Sequence, residues 1–441
     1  MATDLENLWK KARFKPNCRQ EEAILHTEGP LLLTAGPGSG KTKVLLWRAL
    51  NLIVFHEVSP DSIFLSTFTE KAALQLKDGL RTLLAMVTNA TGKPFDLSKM
   101  SIGTVHSICR RILTDRRFAA GSIRPRPPDL MDELDQYFHI YRRWKWNELV
   151  DAGRFYDADV ACQSINQFIS GSRFWSRHHA VSNCISLFNR FSEECLDPRA
   201  VKKRVRDSEK RRYLSMYSCY LNGLSNTGPF GTVDLSLLQQ KALNALGECS
   251  RSESVFEHVI VDEYQDTNTV QERIFFKLAG GSKNICVVGD DDQALYRFRG
   301  ATVENLVEFP KRCLGYLGTE PHPINLDVNY RSRHQIVENF KDFIGRCDWK
   351  REDKSGYYRV HDKKLRAFRK DKRLCVIASS PKEPEYVYDE IARLTKKIVK
   401  SKKVDDPNQI AFLFPAIRNN TRVKGFKAAL ENPSLPILAR H

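Results

Sequence analysis

Leu31-Leu32-Leu33-Thr34-Ala35-Gly36-Pro37-Gly38-Ser39-Gly40-Lys41-Thr42 decides how the rest of the chain is read. A short apolar run breaks at a glycine-rich turn, and a helix is expected from Lys41 to about His56. Such a turn between strand and helix lets backbone N–H groups curl around phosphate oxygens. Counted from Ala35, which stands where glycine is usual, the segment completes the pattern G-x-x-x-x-G-K-[ST]. Ala35, Gly36, Pro37, Gly38, Ser39 and Gly40 are then the expected phosphate cradle. Lys41 would reach the β- and γ-phosphates, and Thr42 would place its hydroxyl on Mg²⁺. An ordinary glycine-rich turn is the alternative, and the strand before it and the helix after it argue against that.

The other half of such a site should be acidic and sit at a strand end. Val259-Ile260-Val261-Asp262-Glu263 supplies it. Asp262 can hold Mg²⁺ through water, and Glu263 can accept a proton from an attacking water. Outward from these two segments, Ser62 to Thr67 reads as a buried strand and Lys71 to Leu84 as an amphipathic helix. Val255 to Val261 and Ile285 to Val288 are further apolar strands ending in acids. Strands alternating with helices predict an α/β fold with a parallel, doubly wound sheet.

Residues 116–229 change character. They are rich in Arg, Trp, Tyr and Phe, read as mostly helical, and are bounded by Arg124-Pro125-Arg126-Pro127-Pro128 and Gly228-Pro229-Phe230-Gly231. The expected organisation is a first α/β domain over 1–115 and 230–310, interrupted by a helical insertion over 116–229. A second α/β unit is expected over 311–441, with candidate strands Ile324 to Val328, Leu374 to Ala378 and Gln409 to Phe414. A length of 441 residues suits this division into several units.

Composition narrows the partners. Lys and Arg total 70 against 53 acids, a formal charge of +17, which draws polyanions toward the surface. The N-terminus lacks an apolar signal segment, and Leu45 to Phe55 is too short to span a bilayer, so no membrane role and a cytoplasmic location are expected. Eleven cysteines without a C-x-x-C pair fit a reducing compartment. His178, His179 and Cys184 lie close in sequence, but no second cluster accompanies them as a metal site would need.

Further segments carry a resemblance. Asp262-Glu263-Tyr264-Gln265-Asp266-Thr267-Asn268 is similar to motif II of UvrD/Rep/PcrA-type superfamily I DNA helicases, and Val288 to Ala301 to their motif III. Thr67 to Ala73 matches motif Ia, Gly103 to Ser107 motif Ib, and Asn329-Tyr330-Arg331-Ser332 motif IV. Asn17 and Gln20 fit the adenine-reading Q motif. The resemblance covers about residues 14–335 in family order. It implies a RecA-like nucleotide-binding domain with a helical insertion, followed by a partial second RecA-like domain, with ATP and Mg²⁺ as cofactors and single-stranded DNA as partner.

Position by position, the resemblance implies that Gln20 reads the adenine edge while Tyr330 and Arg48 sandwich its ring. Gln293 and Arg331 would sense the γ-phosphate beside Lys41, Asp262 and Glu263. Phe68, Thr104, His106, Tyr296, Phe298 and Arg299 would line the DNA path, where aromatic faces stack on any base. The alternative for Phe68 and Phe298 is plain core packing. Departures are Glu70 for a common asparagine, Phe298 for a tryptophan, and Pro415-Ala416 for a tyrosine-arginine pair, while Arg422 matches a later arginine.

Relatives continue past the strand resembling Pro436-Ile437-Leu438 into motifs V and VI, whose arginine finger neither Arg418 nor Arg440 replaces. The expectation is therefore a chain that binds ATP and single-stranded DNA, hydrolyses slowly and does not unwind. A 3′–5′ DNA helicase or translocase, or a large fragment of one, is the first functional reading. An ATP-responsive, non-unwinding DNA-binding subunit completed by a partner protein is the second. A metabolic P-loop kinase has no use for Gln293 to Arg299.

Overall fold

Six short strands form one all-parallel sheet, and four of them are buried at every position because both faces of the sheet are covered. The structure, a computed structural model, describes residues 4–119, 128–227, 231–296, 300–351, 356–360, 363–371, 374–376, 384–417 and 420–431. Strands β1 (Leu31–Ala35), β2 (Ile63–Thr67), β3 (Ser101–Thr104), β4 (His258–Val261), β5 (Ile285–Gly289) and β6 (His322–Leu326) lie in the order β3-β2-β4-β5-β1-β6. Every pairing in this sheet is parallel.

Alternate side chains go to opposite faces. Leu31, Leu33, Ile63, Leu65, Ile260, Cys286 and Val288 enter a core shared with helix Lys41–Phe55 and helix Glu70–Thr91. Leu32, Phe64, Val259, Val261, Ile285 and Val287 enter the core of the other face. Both faces are covered, as a parallel sheet requires, so the strands read as unbroken apolar runs.

The second core continues without interruption into the helices between β3 and β4. Trp146, Phe188, Tyr213, Tyr217 and Tyr220 of those helices are buried in it beside Phe64 and Phe275. Part of that region's aromatic richness is thus core packing, while Phe138, Trp144, Tyr156 and Trp175 are exposed. His178 bonds Tyr137, His179 bonds Ser176, and Cys184 is buried in the same core. No helix of the described residues is long and apolar enough to cross a membrane.

Two sequence expectations change. Ile324 to Val328 was expected to begin a second α/β unit after residue 310. Instead His322–Leu326 pairs along β1 from Leu31↔His322 to Ala35↔Leu326 and closes the edge of the first sheet. Its apolar residues Ile324 and Leu326 complete the core beneath helix Lys41–Phe55, which fixes it there. The chain divides into two units, Met1–Asp371 and Lys372–His441. In the second unit, Gln409 to Phe414 is not a strand. Gln409 ends a short 3₁₀ turn, and Phe412 and Phe414 pack on Phe426 of helix Thr421–Glu431. Leu374 to Val376 carry no regular structure. Ala378, Arg418, Pro436 to Leu438 and Arg440, with the segment bounds Arg124 to Pro127 and Gly228 to Phe230, lie outside the described residues.

Candidate nucleotide and nucleic-acid site

Five of the segments named from the sequence follow the carboxyl ends of strands, the edge where open parallel sheets build their sites. The phosphate loop leaves β1, Phe68 leaves β2, His106 follows β3, Asp262 and Glu263 follow β4, and Asp290 to Tyr296 follow β5.

At the phosphate loop, Gly38 and Gly40 adopt φ of 70° and 87°. A Cβ at Gly38 would lie 2.7 Å from Arg331 Cβ, so the left-handed turn and the close approach both call for glycine. Gly40 caps helix Lys41–Phe55 with no side-chain acceptor, so its first N–H groups are left for an anion. Asn329 holds the loop by donating from Nδ2 to Pro37 O (2.6 Å), and Tyr330 N–H donates to Gly38 O (2.9 Å). The backbone N–H of Arg331 donates to Asn329 Oδ1 (2.9 Å), while its side chain is exposed beside the loop. The tyrosine hydroxyl accepts from Asn17 Nδ2 (2.8 Å).

Gln20 is buried, not open. Its amide donates to Ser39 O (2.9 Å) and accepts from Asn17 N (3.1 Å) in a capping box, so it braces the loop from beneath. Arg48 is a clear correction. It is fully buried and donates to Ala23 O (3.0 Å), two helical turns beyond Lys41, and cannot flank a nucleotide. On the same helix Lys43 is exposed, its ammonium 5.4 Å over the Phe14 ring.

The acids converge on the same loop. Lys41 Nζ lies 3.1 Å from Glu263 Oε2. Glu263 stands at φ 52°, a left-handed backbone rare for its type, which turns its carboxylate back toward the lysine. Burial and then the charge of Glu263 push Asp262 up to about 6, Lys41 offsetting part of this. Asp266 is pushed up to about 7 by burial and by Glu263, and its Oδ1 is buried without a partner. The hydroxyls of Ser39, Ser66 and Thr67 are also buried without partners. Buried polar groups normally find partners, so this set suits a charged, hydrated guest. The residues fit Mg²⁺ with a nucleotide: Thr42 presents an exposed hydroxyl, and Asp262 a carboxylate that a cation would stabilise as the anion.

Gln265, to which the sequence reading assigned no role, links the halves. Its Nε2 donates to Glu263 Oε2 (2.8 Å), and its Oε1 accepts from Asp290 N (3.0 Å). Asp290 in turn accepts from Gln293 Nε2. A continuous path of contacts therefore runs Lys41, Glu263, Gln265, Asp290, Gln293. Its signal in the sequence was only a place inside motif II.

Phe68 and Tyr296 are half-buried and stacked, with centroids 5.1 Å apart and planes at 27°. They form one platform, not a slot. His106 is half-buried, its Nε2 3.1 Å from Gln239 Nε2, and burial lowers its imidazole pKa below the usual range, partly opposed by Glu70. Thr104 is buried and donates to Glu70 Oε1 (2.7 Å) while capping the next helix. That bond turns the unusual acid toward the protein. Phe298 and Arg299 lie outside the described residues.

Comparison with known proteins fits this geometry. Over 329 residues the chain is 33% identical to the ATP-dependent DNA helicase PcrA of Staphylococcus aureus strain Mu50, covering 74% of this chain and 40% of that protein. PcrA of Staphylococcus epidermidis strain ATCC 12228 matches with the same identity and coverage. The chain thus spans 40% of the length of the curated relatives it matches. Residues 16–313 match the UvrD/REP helicase N-terminal domain. With the phosphate loop, paired acids and linking glutamine on one sheet edge, the chain belongs to the UvrD/REP helicase family.

Proposed function

We propose that this chain binds Mg·ATP on the Gly36–Thr42 loop and single-stranded DNA on the Phe68–Tyr296 platform, and acts as the ATP-dependent motor portion of a 3′–5′ DNA helicase or translocase. The observation that carries this is the path of contacts from Lys41 to Gln293, because Gln293 and Tyr296 share one short loop. A change at the terminal phosphate is felt three residues from the DNA platform. When phosphate enters, Lys41 exchanges the Glu263 carboxylate for the γ-phosphate, which frees Glu263 to hold a water and accept its proton. A divalent cation held by Thr42 and Asp262 would neutralise charge on the β- and γ-phosphates. Arg331, exposed beside Gly38, is the arginine positioned to meet the departing γ-phosphoryl. Gln20 supports the loop under the base, with Tyr330 as a stacking face.

The test is ATP hydrolysis by the purified chain with and without an oligothymidine. Single strands should raise turnover and bind at least about 10-fold more tightly than blunt duplex, since only unpaired bases can stack. Binding should fall linearly in log–log terms as salt rises. Tight strand binding with no hydrolysis would favour the ATP-responsive DNA-binding subunit. Indifference to nucleic acid would remove both.

A further inference from the structure

The acids after β5 are held more firmly than nucleotide contact requires. Lys363 is buried, with Nζ 2.9 Å from Asp290 Oδ1 and 3.4 Å from Asp292 Oδ2, and it pairs with Asp291 as well. Arg359 grips Asp292 through two bonds of 2.7 and 3.2 Å, and Val360 N–H donates to Asp291 Oδ2 (2.8 Å). Lys341, paired with Glu338, lines the small cavity beside them. Two residues past Lys363, Leu365 lies so near Gly36 that a Cβ there would be 2.7 Å from Leu365 Cδ1. Lys341, Arg359, Lys363 and Leu365 fall beyond 16–313, the part that matches the family.

Asp290 is the pivot. One of its oxygens takes Lys363, the other takes Gln293, and its N–H holds Gln265. We propose that Lys363 is a positioning residue for the γ-phosphate sensor: its ammonium fixes Asp290, and through it the amides of Gln293 and Gln265, so that the site distinguishes ATP from ADP. This rests on reading the loop as an Mg·ATP site.

Without the ammonium, three carboxylates remain together, with Arg359 paired to Asp292 among the described residues. Like charges in a poorly hydrated site repel strongly, so one carboxylate takes a proton or swings to water. Gln293 then loses its fixed acceptor. Burial alone would lower the Lys363 pKa, but Asp290, Asp291 and Asp292 together raise it, so the group stays charged. A purely structural lysine would, on removal, weaken diphosphate and triphosphate binding alike.

The experiment titrates ADP and a non-hydrolysable ATP analogue, with Mg²⁺, into wild type, Lys363→Met, Lys363→Met/Asp291→Asn and Lys41→Ala at pH 6 and pH 8. Lys363→Met should lose about 10-fold in triphosphate affinity at pH 8 while ADP affinity stays within about 2-fold. The loss should shrink at pH 6, where a proton relieves the surplus charge, and Asp291→Asn should restore part of it. Should Lys363→Met not fold, Asp290→Asn, which lessens the buried charge, should show the same triphosphate-selective loss. An undiminished preference for triphosphate, or equal loss of both nucleotides, overturns the proposal. Wild type that shows no Lys41-dependent binding refutes the underlying reading instead, and wild type with no triphosphate preference removes Gln293's role and this inference with it.

Discussion

Glu263→Gln should lower the ATP turnover of this chain by about 10²–10⁴-fold while leaving triphosphate affinity within about 3-fold. The amide keeps the shape of the carboxylate and can still accept from Gln265, so the path toward Asp290 survives. What it loses is basicity at the acid that, among the described residues, pairs with Lys41. Binding draws on the loop N–H groups and Lys41, neither of which changes, whereas proton removal from water is needed only on the way to the transition state. Single-turnover hydrolysis measured beside nucleotide binding separates the two. Turnover within a few-fold of wild type would mean that Glu263 is not the base.

The second large effect is at the platform. Phe68→Ala combined with Tyr296→Ala should weaken single-stranded DNA binding by about 5- to 150-fold, the equivalent of about 1–3 kcal/mol for one lost base stack. Each ring is half-buried and they pack on each other, so the pair would offer its outer faces to bases while shielding an inner contact. Thermal stability should drop modestly compared with removal of a core aromatic such as Phe64. Fluorescence anisotropy with oligothymidine, paired with thermal denaturation, is the check. A double variant that binds normally, or that unfolds, returns both rings to a packing role.

The placement of the candidate loops could be read from residues alone because of where parallel sheets put them. A short apolar run with a polar loop at its end marks both a buried strand and a functional edge, and Leu31 to Thr42, Val259 to Glu263 and Ile285 to Gln293 all have that form. Arg48 escaped correct reading because spacing along a helix does not say which cation meets solvent. Burial against helix Cys18–Leu25 decides that, and it leaves Lys43 outside. The strand His322–Leu326 was assigned to the wrong unit because a parallel strand's partner is remote in sequence, here β1. Phe412 and Phe414 imitate a strand by alternation, yet they pack on a helix through Phe426. Lys363 belongs to no motif, and only the fold brings it to the acids after β5.

Calorimetric titration of Mg·ATP into wild type and Lys41→Ala tests the nucleotide site most directly. Lys41 is the point charge at the mouth of the loop, and its present partner Glu263 is a carboxylate that a phosphate would replace. The expected result is Mg²⁺-dependent binding to wild type and a loss of at least about 10-fold in the variant, the equivalent of about 1.4 kcal/mol. Equal affinity in the two proteins would contradict the assignment of Gly36–Thr42 as the phosphate loop.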